Sequence, residues 1–109
     1  MLARGHLFCG QTPEIIVDDC VARLQPESAR AMREAMFRDS PEPQRVTTPM
    51  LVLGAEADRA LTQDEVRATA RAYDTDAQFF ADMGHSMMLE PGWQVVAERI
   101  MKWLGHRGL

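Results

Sequence analysis

The sequence is poor in the features that mark secreted, membrane-spanning and nucleic-acid-binding proteins. It has two cysteines, Cys9 and Cys20, whose spacing fits no metal motif and which are too few for a disulfide framework. Leu7-Phe8-Cys9 is too short for the apolar core of a signal peptide, and no run approaches membrane-spanning length. A net charge of −4 gives no electrostatic basis for binding nucleic acid or an anionic membrane. We therefore predict a cytoplasmic protein with no nucleic-acid partner and no membrane partner.

Two short apolar runs are each followed by a residue capable of acid–base chemistry. Pro49 to Gly54 is almost wholly apolar and precedes Asp58, and Ala77 to Ala81 precedes His85. Short apolar runs of this kind are typical of strands buried on both faces. If the two strands are parallel neighbours, their carboxyl ends open on one edge of the sheet, where α/β proteins bind ligands. The sequence therefore predicts that Asp58 and His85 lie close together, within or slightly beyond hydrogen-bond range.

Helical patterns separate and follow these strands. Thr62 with Glu65 forms a capping-box pattern that predicts a helix from about 63 to 73, long enough for a right-handed crossover. A last helix is predicted after Pro91, ending near Gly105. It has an apolar stripe at helical spacing, formed by Trp93, Val96, Ala97, Ile100, Met101 and Leu104.

The amino-terminal part has two further helical patterns. Thr12-Pro13 is predicted to begin a helix over 13–24, and Pro26 is predicted both to end it and to open a second helix over 26–37, after a tight turn. The proline-containing linker between Asp39 and Thr48 does not suit a helix. We therefore place a boundary between a helical segment, 1–45, and an α/β segment, 46–109.

Residues 46–104 resemble the carboxy-terminal part of an α/β-hydrolase-fold serine hydrolase in the order strand, acid, helix, strand, histidine, helix. The resemblance assigns Asp58 as the triad acid and His85, in Gly84-His85-Ser86, as the base. Leu89-Glu90-Pro91 resembles the turn before the last helix, and residues 12–45 are similar to the cap of that family. The fold implied is a partial α/β-hydrolase fold, with two parallel strands, a crossover helix and a carboxy-terminal helix after a helical cap or lid segment.

The chain departs from the family pattern because it has neither a G-x-S-x-G nucleophile elbow nor an HGGG-type oxyanion motif. Of its three serines, Ser28 lies in the predicted helix 26–37, Ser40 in the linker, and Ser86 next to His85, where it is poorly placed to contact the imidazole. We therefore expect the nucleophile to lie upstream of Met1. The resemblance implies carboxylesterase-like hydrolysis of a small-molecule acyl substrate without a cofactor or metal, and little activity from this chain alone.

Several alternatives remain open from the sequence. Asp58 has a rival acid in Glu56 on the same loop, and an aspartate after a strand is often only a turn former. The chain is alternatively a non-catalytic remnant that acts as a protein interaction module. An incomplete sheet also predicts self-association or binding to a complementing amino-terminal fragment. Five apolar residues, four of them close to His85 in the chain, are candidates for an acyl pocket or for packing around the histidine loop: Phe8, Met83, Met87, Met88 and Leu89.

Overall fold

The computed structural model describes residues 2–38 and 40–109, which form a mixed α/β structure around one open sheet of two parallel strands. The predicted parallel pair is confirmed. In chain order, the described residues form helices α1 (Leu2–Leu7), α2 (Glu14–Arg23) and α3 (Ala29–Phe37), a 3₁₀ turn (Pro43–Arg45), strand β1 (Val52–Ala55), helix α4 (Gln63–Ala72), strand β2 (Ala77–Phe80) and helix α5 (Trp93–Gly105).

The two strands pair in parallel from Val52 opposite Ala77 to Ala55 opposite Phe80. The helix α4 provides the crossover and contacts both strands. Gly54 is required at its position in β1, because a Cβ atom there would lie 2.6 Å from the Phe79 ring. The lack of a side chain therefore allows the ring to cover the strand.

The core is small and lies where the carboxyl ends of the strands meet helix α5. Four of the buried apolar residues form one cluster there, namely Ala55, Phe80, Met83 and Val96, with Leu53 and Met87 packed against them. Val96 belongs to the predicted apolar stripe of α5, but Trp93 and Met101 of that stripe are 48% and 69% exposed. The apolar face of the last helix is thus only partly buried.

The two predicted amino-terminal helices are present but shorter than expected. The expected cap at Thr12 is wrong, because α2 follows Pro13 with no side-chain cap and the Thr12 hydroxyl instead donates to a distant carboxyl group. The expected tight turn at Pro26 is also wrong. Helix α3 begins after Ser28, whose hydroxyl accepts a hydrogen bond from the Ala31 amide. Residues 24–28 form an irregular connection.

Helix α1 was not predicted from the sequence, whereas the linker is close to expectation. Asp39, the first residue of the predicted linker 39–48, lies outside the described residues. The rest of that linker contains only the 3₁₀ turn Pro43–Arg45. The division of the chain at residue 45 stays a prediction. Across residues 2–38 and 40–109, no helix combines the length and apolar character needed to cross a membrane.

Replacing Thr62 with alanine is expected to lower the free energy of unfolding by about 1 kcal/mol. The Thr62 hydroxyl accepts from the Glu65 amide at 3.2 Å, and the Glu65 carboxylate accepts from the Thr62 amide at 2.7 Å. Urea unfolding followed by circular dichroism measures the change. Thr69→Ala is the matched control, since Thr69 is exposed inside α4 and alanine suits a helix interior at least as well. Equal losses in the two variants would contradict the capping role.

Candidate active site

Asp58 lies in the loop after β1 and is held by its own backbone neighbours. Its Oδ1 atom accepts hydrogen bonds from the Ala60 amide at 2.7 Å and from the Leu61 amide at 3.0 Å. An aspartate at a turn commonly accepts such bonds. The side chain is only 7% exposed, so this turn fixes the carboxylate with its second oxygen directed elsewhere.

His85 meets that second oxygen. The His85 Nδ1 atom lies 2.9 Å from Asp58 Oδ2, which is hydrogen-bond range. The two residues therefore lie close together as predicted, and their contact is within hydrogen-bond range and not beyond it. The His85 side chain remains 40% exposed, so part of the ring stays accessible while Nδ1 contacts Asp58.

The two loops are aligned by backbone pairing that continues beyond the strands. The Glu56 amide donates to the Phe80 carbonyl at 2.9 Å, and the Ala57 amide donates to the Met83 carbonyl at 3.0 Å. The acid loop and the histidine loop therefore leave the sheet side by side. This pairing is the physical reason that residues 27 positions apart in the chain form a hydrogen bond.

The environment of Asp58 favours its ionised form. Burial acts to raise the pKa of Asp58, but the hydrogen bonds from His85, Leu61 and Ala60, with the nearby charge of protonated His85, together lower it. An ionised carboxylate only accepts hydrogen bonds, so Nδ1 of His85 must carry the proton. In the neutral imidazole Nε2 then holds the free lone pair, as a general base requires.

The rival acid, Glu56, is placed differently. It is exposed, and no hydrogen bond or ion pair of its carboxylate occurs within residues 2–38 and 40–109. Of the two acidic residues on this loop, the structure brings Asp58 and not Glu56 to His85.

A buried glutamate that sequence reasoning had treated only as part of a turn lies beneath the histidine loop. Glu90 has no exposed surface. Its Oε1 atom accepts from the amides of Cys9 at 3.0 Å and Gly84 at 2.9 Å, and its Oε2 atom accepts from the Thr12 hydroxyl at 2.6 Å. The available signal was one carboxylate in the otherwise apolar run from Met87 to Pro91.

The segment 7–12 packs directly against the histidine loop. The Ser86 amide donates to the Leu7 carbonyl at 2.8 Å. Gly84 approaches the same segment so closely that a Cβ atom would lie 2.5 Å from the backbone of Phe8 and of Cys9. Only glycine therefore allows this contact without moving one of the two segments.

The surroundings of the other candidate residues indicate structural and not catalytic roles. Phe8 and Met83 are buried and Met87 packs on the core, which favours packing over an acyl pocket, whereas Met88 and Leu89 are exposed. Ser28 caps α3, and no hydrogen bond joins the Ser86 hydroxyl to His85 in the part of the chain that the structure describes. Both cysteines are free thiols, and the described residues contain no cluster suited to binding a metal ion.

Comparison of the chain with protein-family models, with curated proteins and with solved structures found no significant match. The function of the chain is therefore inferred from the geometry of Asp58 and His85 and from the resemblance in the sequence.

The Asp58→Asn variant is expected to lose stability near neutral pH and not in acid. The lowered pKa of Asp58 means that the ionised carboxylate stabilises the folded state above about pH 4, the unfolded value, and that this contribution is lost as pH falls through the folded value. The difference should stay below about 1 kcal/mol because His85 is partly exposed.

Urea unfolding of both proteins between pH 7 and pH 2 measures this difference. The control is Glu56→Gln, which removes an exposed carboxylate from the same loop and should change little. A difference between Asp58→Asn and the parent protein that grows as the pH falls would contradict the expected sign.

Gly84→Ala is expected to reduce the free energy of unfolding by about 1–3 kcal/mol, the usual cost of overpacking a close contact. The matched control is Gly10→Ala, because a Cβ atom at Gly10 meets nothing within 4 Å. Thermal unfolding of the two variants measures the difference. Equal stability of both would show that segment 7–12 does not press against Gly84 in solution.

Proposed function

We propose that this chain is the carboxy-terminal part of an α/β-hydrolase-fold enzyme, in which Asp58 and His85 are the triad acid and base for hydrolysis of an ester or a related acyl substrate. The observation that carries the proposal is the 2.9 Å hydrogen bond between His85 Nδ1 and Asp58 Oδ2, at the carboxyl edge of two parallel strands. This edge is where α/β sheets hold their reacting groups.

The geometry suits the part of acyl transfer that an acid–histidine pair performs. His85 Nε2 would take the proton of a serine hydroxyl as the oxygen attacks the carbonyl carbon of the substrate, and would return that proton to the leaving alkoxide. Water would then hydrolyse the acyl-enzyme by the same two proton transfers. Asp58, whose hydrogen bonds already favour its ionised form, would remain ionised throughout and would stabilise the imidazolium.

The serine in this proposal comes from a second polypeptide segment. Ser28 is engaged as a helix cap, and Ser86 follows His85 on the same turn of chain. Ser40 lies between α3 and the 3₁₀ turn, and none of the three serines lies on a strand-to-helix elbow of the described structure, the position in which the family exposes its nucleophile. A segment with further strands would also cover the open sheet.

A non-catalytic interaction module is the second candidate, and exposed apolar side chains favour it. Ile15 on α2 and Phe37 on α3 are each 79% exposed, and α3 has no buried residue. Large apolar side chains that lie together on a surface commonly mark sites that other chains cover. The same surface is equally suited to a complementing segment of a hydrolase, so activity decides between the two functions.

The purified chain alone is expected to hydrolyse a short-chain activated ester no faster than its His85→Ala variant and to resist labelling by a fluorophosphonate. Turnover or labelling that depends on His85 in the isolated chain would show a nucleophile of its own. We further expect the DNA directly before the Met1 codon to encode a strand followed by G-x-S-x-G in some frame.

Co-expression with that encoded segment tests the hydrolase proposal directly. Fluorophosphonate labelling of its serine should fall by about 10³-fold or more with His85→Ala and should be unchanged with His106→Ala, an exposed histidine of this chain. Labelling that is insensitive to His85, or an upstream region that encodes no such elbow, would overturn the proposal in favour of the interaction module.

A further inference from the structure

We propose that Glu90 is a positioning residue, which holds the His85 imidazole against Asp58 by joining segment 7–12 to the histidine loop. This inference rests on the proposed role of His85. Glu90 itself would contact neither the substrate nor the reacting atoms, because its side chain has no exposed surface.

One carboxyl oxygen makes the connection. Oε1 of Glu90 accepts from the amide of Gly84, the residue before His85, and from the amide of Cys9 in the amino-terminal segment. The two amides are 75 positions apart in the chain and converge on a single atom. Loss of that atom would leave two buried amide donors without their partner. Because such donors are costly to bury, we expect the histidine loop to move until they find another acceptor.

The other carboxyl oxygen anchors the glutamate side chain. Oε2 accepts from the Thr12 hydroxyl at 2.6 Å and lies 3.9 Å from the Cys9 thiol. Arg4 holds Thr12 in turn, because its guanidinium donates to the Thr12 carbonyl at 2.6 Å and pairs with Glu14. The glutamate is thus supported by α1 and α2 as well as by its own turn.

His85 needs this support because its own ring packs weakly. The imidazole is 40% exposed, whereas the residues on either side of it are tied by their amides, Gly84 to Glu90 and Ser86 to the Leu7 carbonyl. The position of the ring therefore depends on its backbone more than on its contacts. Glu90 and segment 7–12 supply both backbone constraints.

The tautomer of His85 shows whether the ring is bonded to Asp58, and it can be measured without any enzymatic activity. With Nδ1 donating to Asp58, the neutral ring is protonated at Nδ1, while a histidine released from Asp58 returns to the mixture of tautomers found in exposed rings. Side-chain ¹⁵N NMR distinguishes the two forms. His6 and His106 are exposed and serve as internal references in the same spectrum.

The variants are Glu90→Leu, which removes both acceptor oxygens, and Glu90→Gln, which keeps an amide oxygen in the place of Oε1. In a Glu90→Leu protein that retains the circular dichroism of the parent, the ¹⁵N pattern of His85 is expected to move to that of His6 and His106. Glu90→Gln should restore the parent pattern. Glu56→Leu, the matched loss of an exposed carboxylate, should not change it.

If Glu90→Leu does not fold, amide hydrogen exchange in the parent and in the other Glu90 variants tests the proposal. The amides of Gly84 and Cys9 should then be protected in the parent and in Glu90→Gln, and should exchange about tenfold faster in Glu90→Asp, whose shorter side chain withdraws the acceptor. A Gly84 amide that exchanges in the parent as fast as those of exposed loops would overturn the proposal.

The failure of this inference is distinguishable from failure of the hydrolase proposal. A folded Glu90→Leu protein that keeps the parent ¹⁵N pattern of His85 overturns the positioning role, whatever the labelling experiments show. Conversely, serine labelling that does not need His85 overturns the hydrolase proposal and leaves the structural effect of Glu90 on His85 in place.

Discussion

The parallel pairing of β1 with β2 is the constraint on which the rest of the site depends. Parallel strands share one carboxyl edge, and here the backbone bonds continue past the strands to join Ala57 with the Met83 carbonyl. The loops that follow are consequently held side by side. A crossover through α4 makes this geometry available to a short chain, because it returns the backbone to the same end of the sheet.

A buried polar contact holds the part of the histidine loop that the sheet does not hold. The strands bring the acid loop and the histidine loop together, but they do not hold the far side of the histidine loop. That side rests on segment 7–12, with the Gly84 backbone in close approach and the Glu90 carboxyl group between the two. Buried polar groups need hydrogen-bond partners, so this contact has a defined geometry that apolar packing alone would not impose.

The small core explains why the molecule exposes so much apolar surface. Two short strands provide little area for helices to cover, so α3 has no buried residue and Val96 is the one buried residue of α5. A sheet of this size is rarely stable without further strands or a partner. The site and the exposed surface thus have one common explanation in the proposal of a hydrolase completed by another segment.

The sequence by itself determined the local elements and the order of the candidate site. Apolar runs specified both strands, the Thr62–Glu65 pattern specified the start of α4, and the positions of Asp58 and His85 after the strands predicted their contact. The strands and the start of α4 depend on near neighbours in the chain, and the contact follows from the order of the elements in a parallel sheet. The choice of Asp58 over Glu56 was different, since both acids lie on one loop, only the family resemblance favoured Asp58 in the sequence, and the position of His85 separates them in the structure. The same holds at Thr12 and Glu90, which are 78 positions apart: a local pattern suggested a helix cap and a turn, but the folded chain uses the two residues as partners. Only the tertiary structure decided those contacts, because a buried carboxyl group takes whichever donors the packing brings to it, and the sequence does not show which distant donors those are.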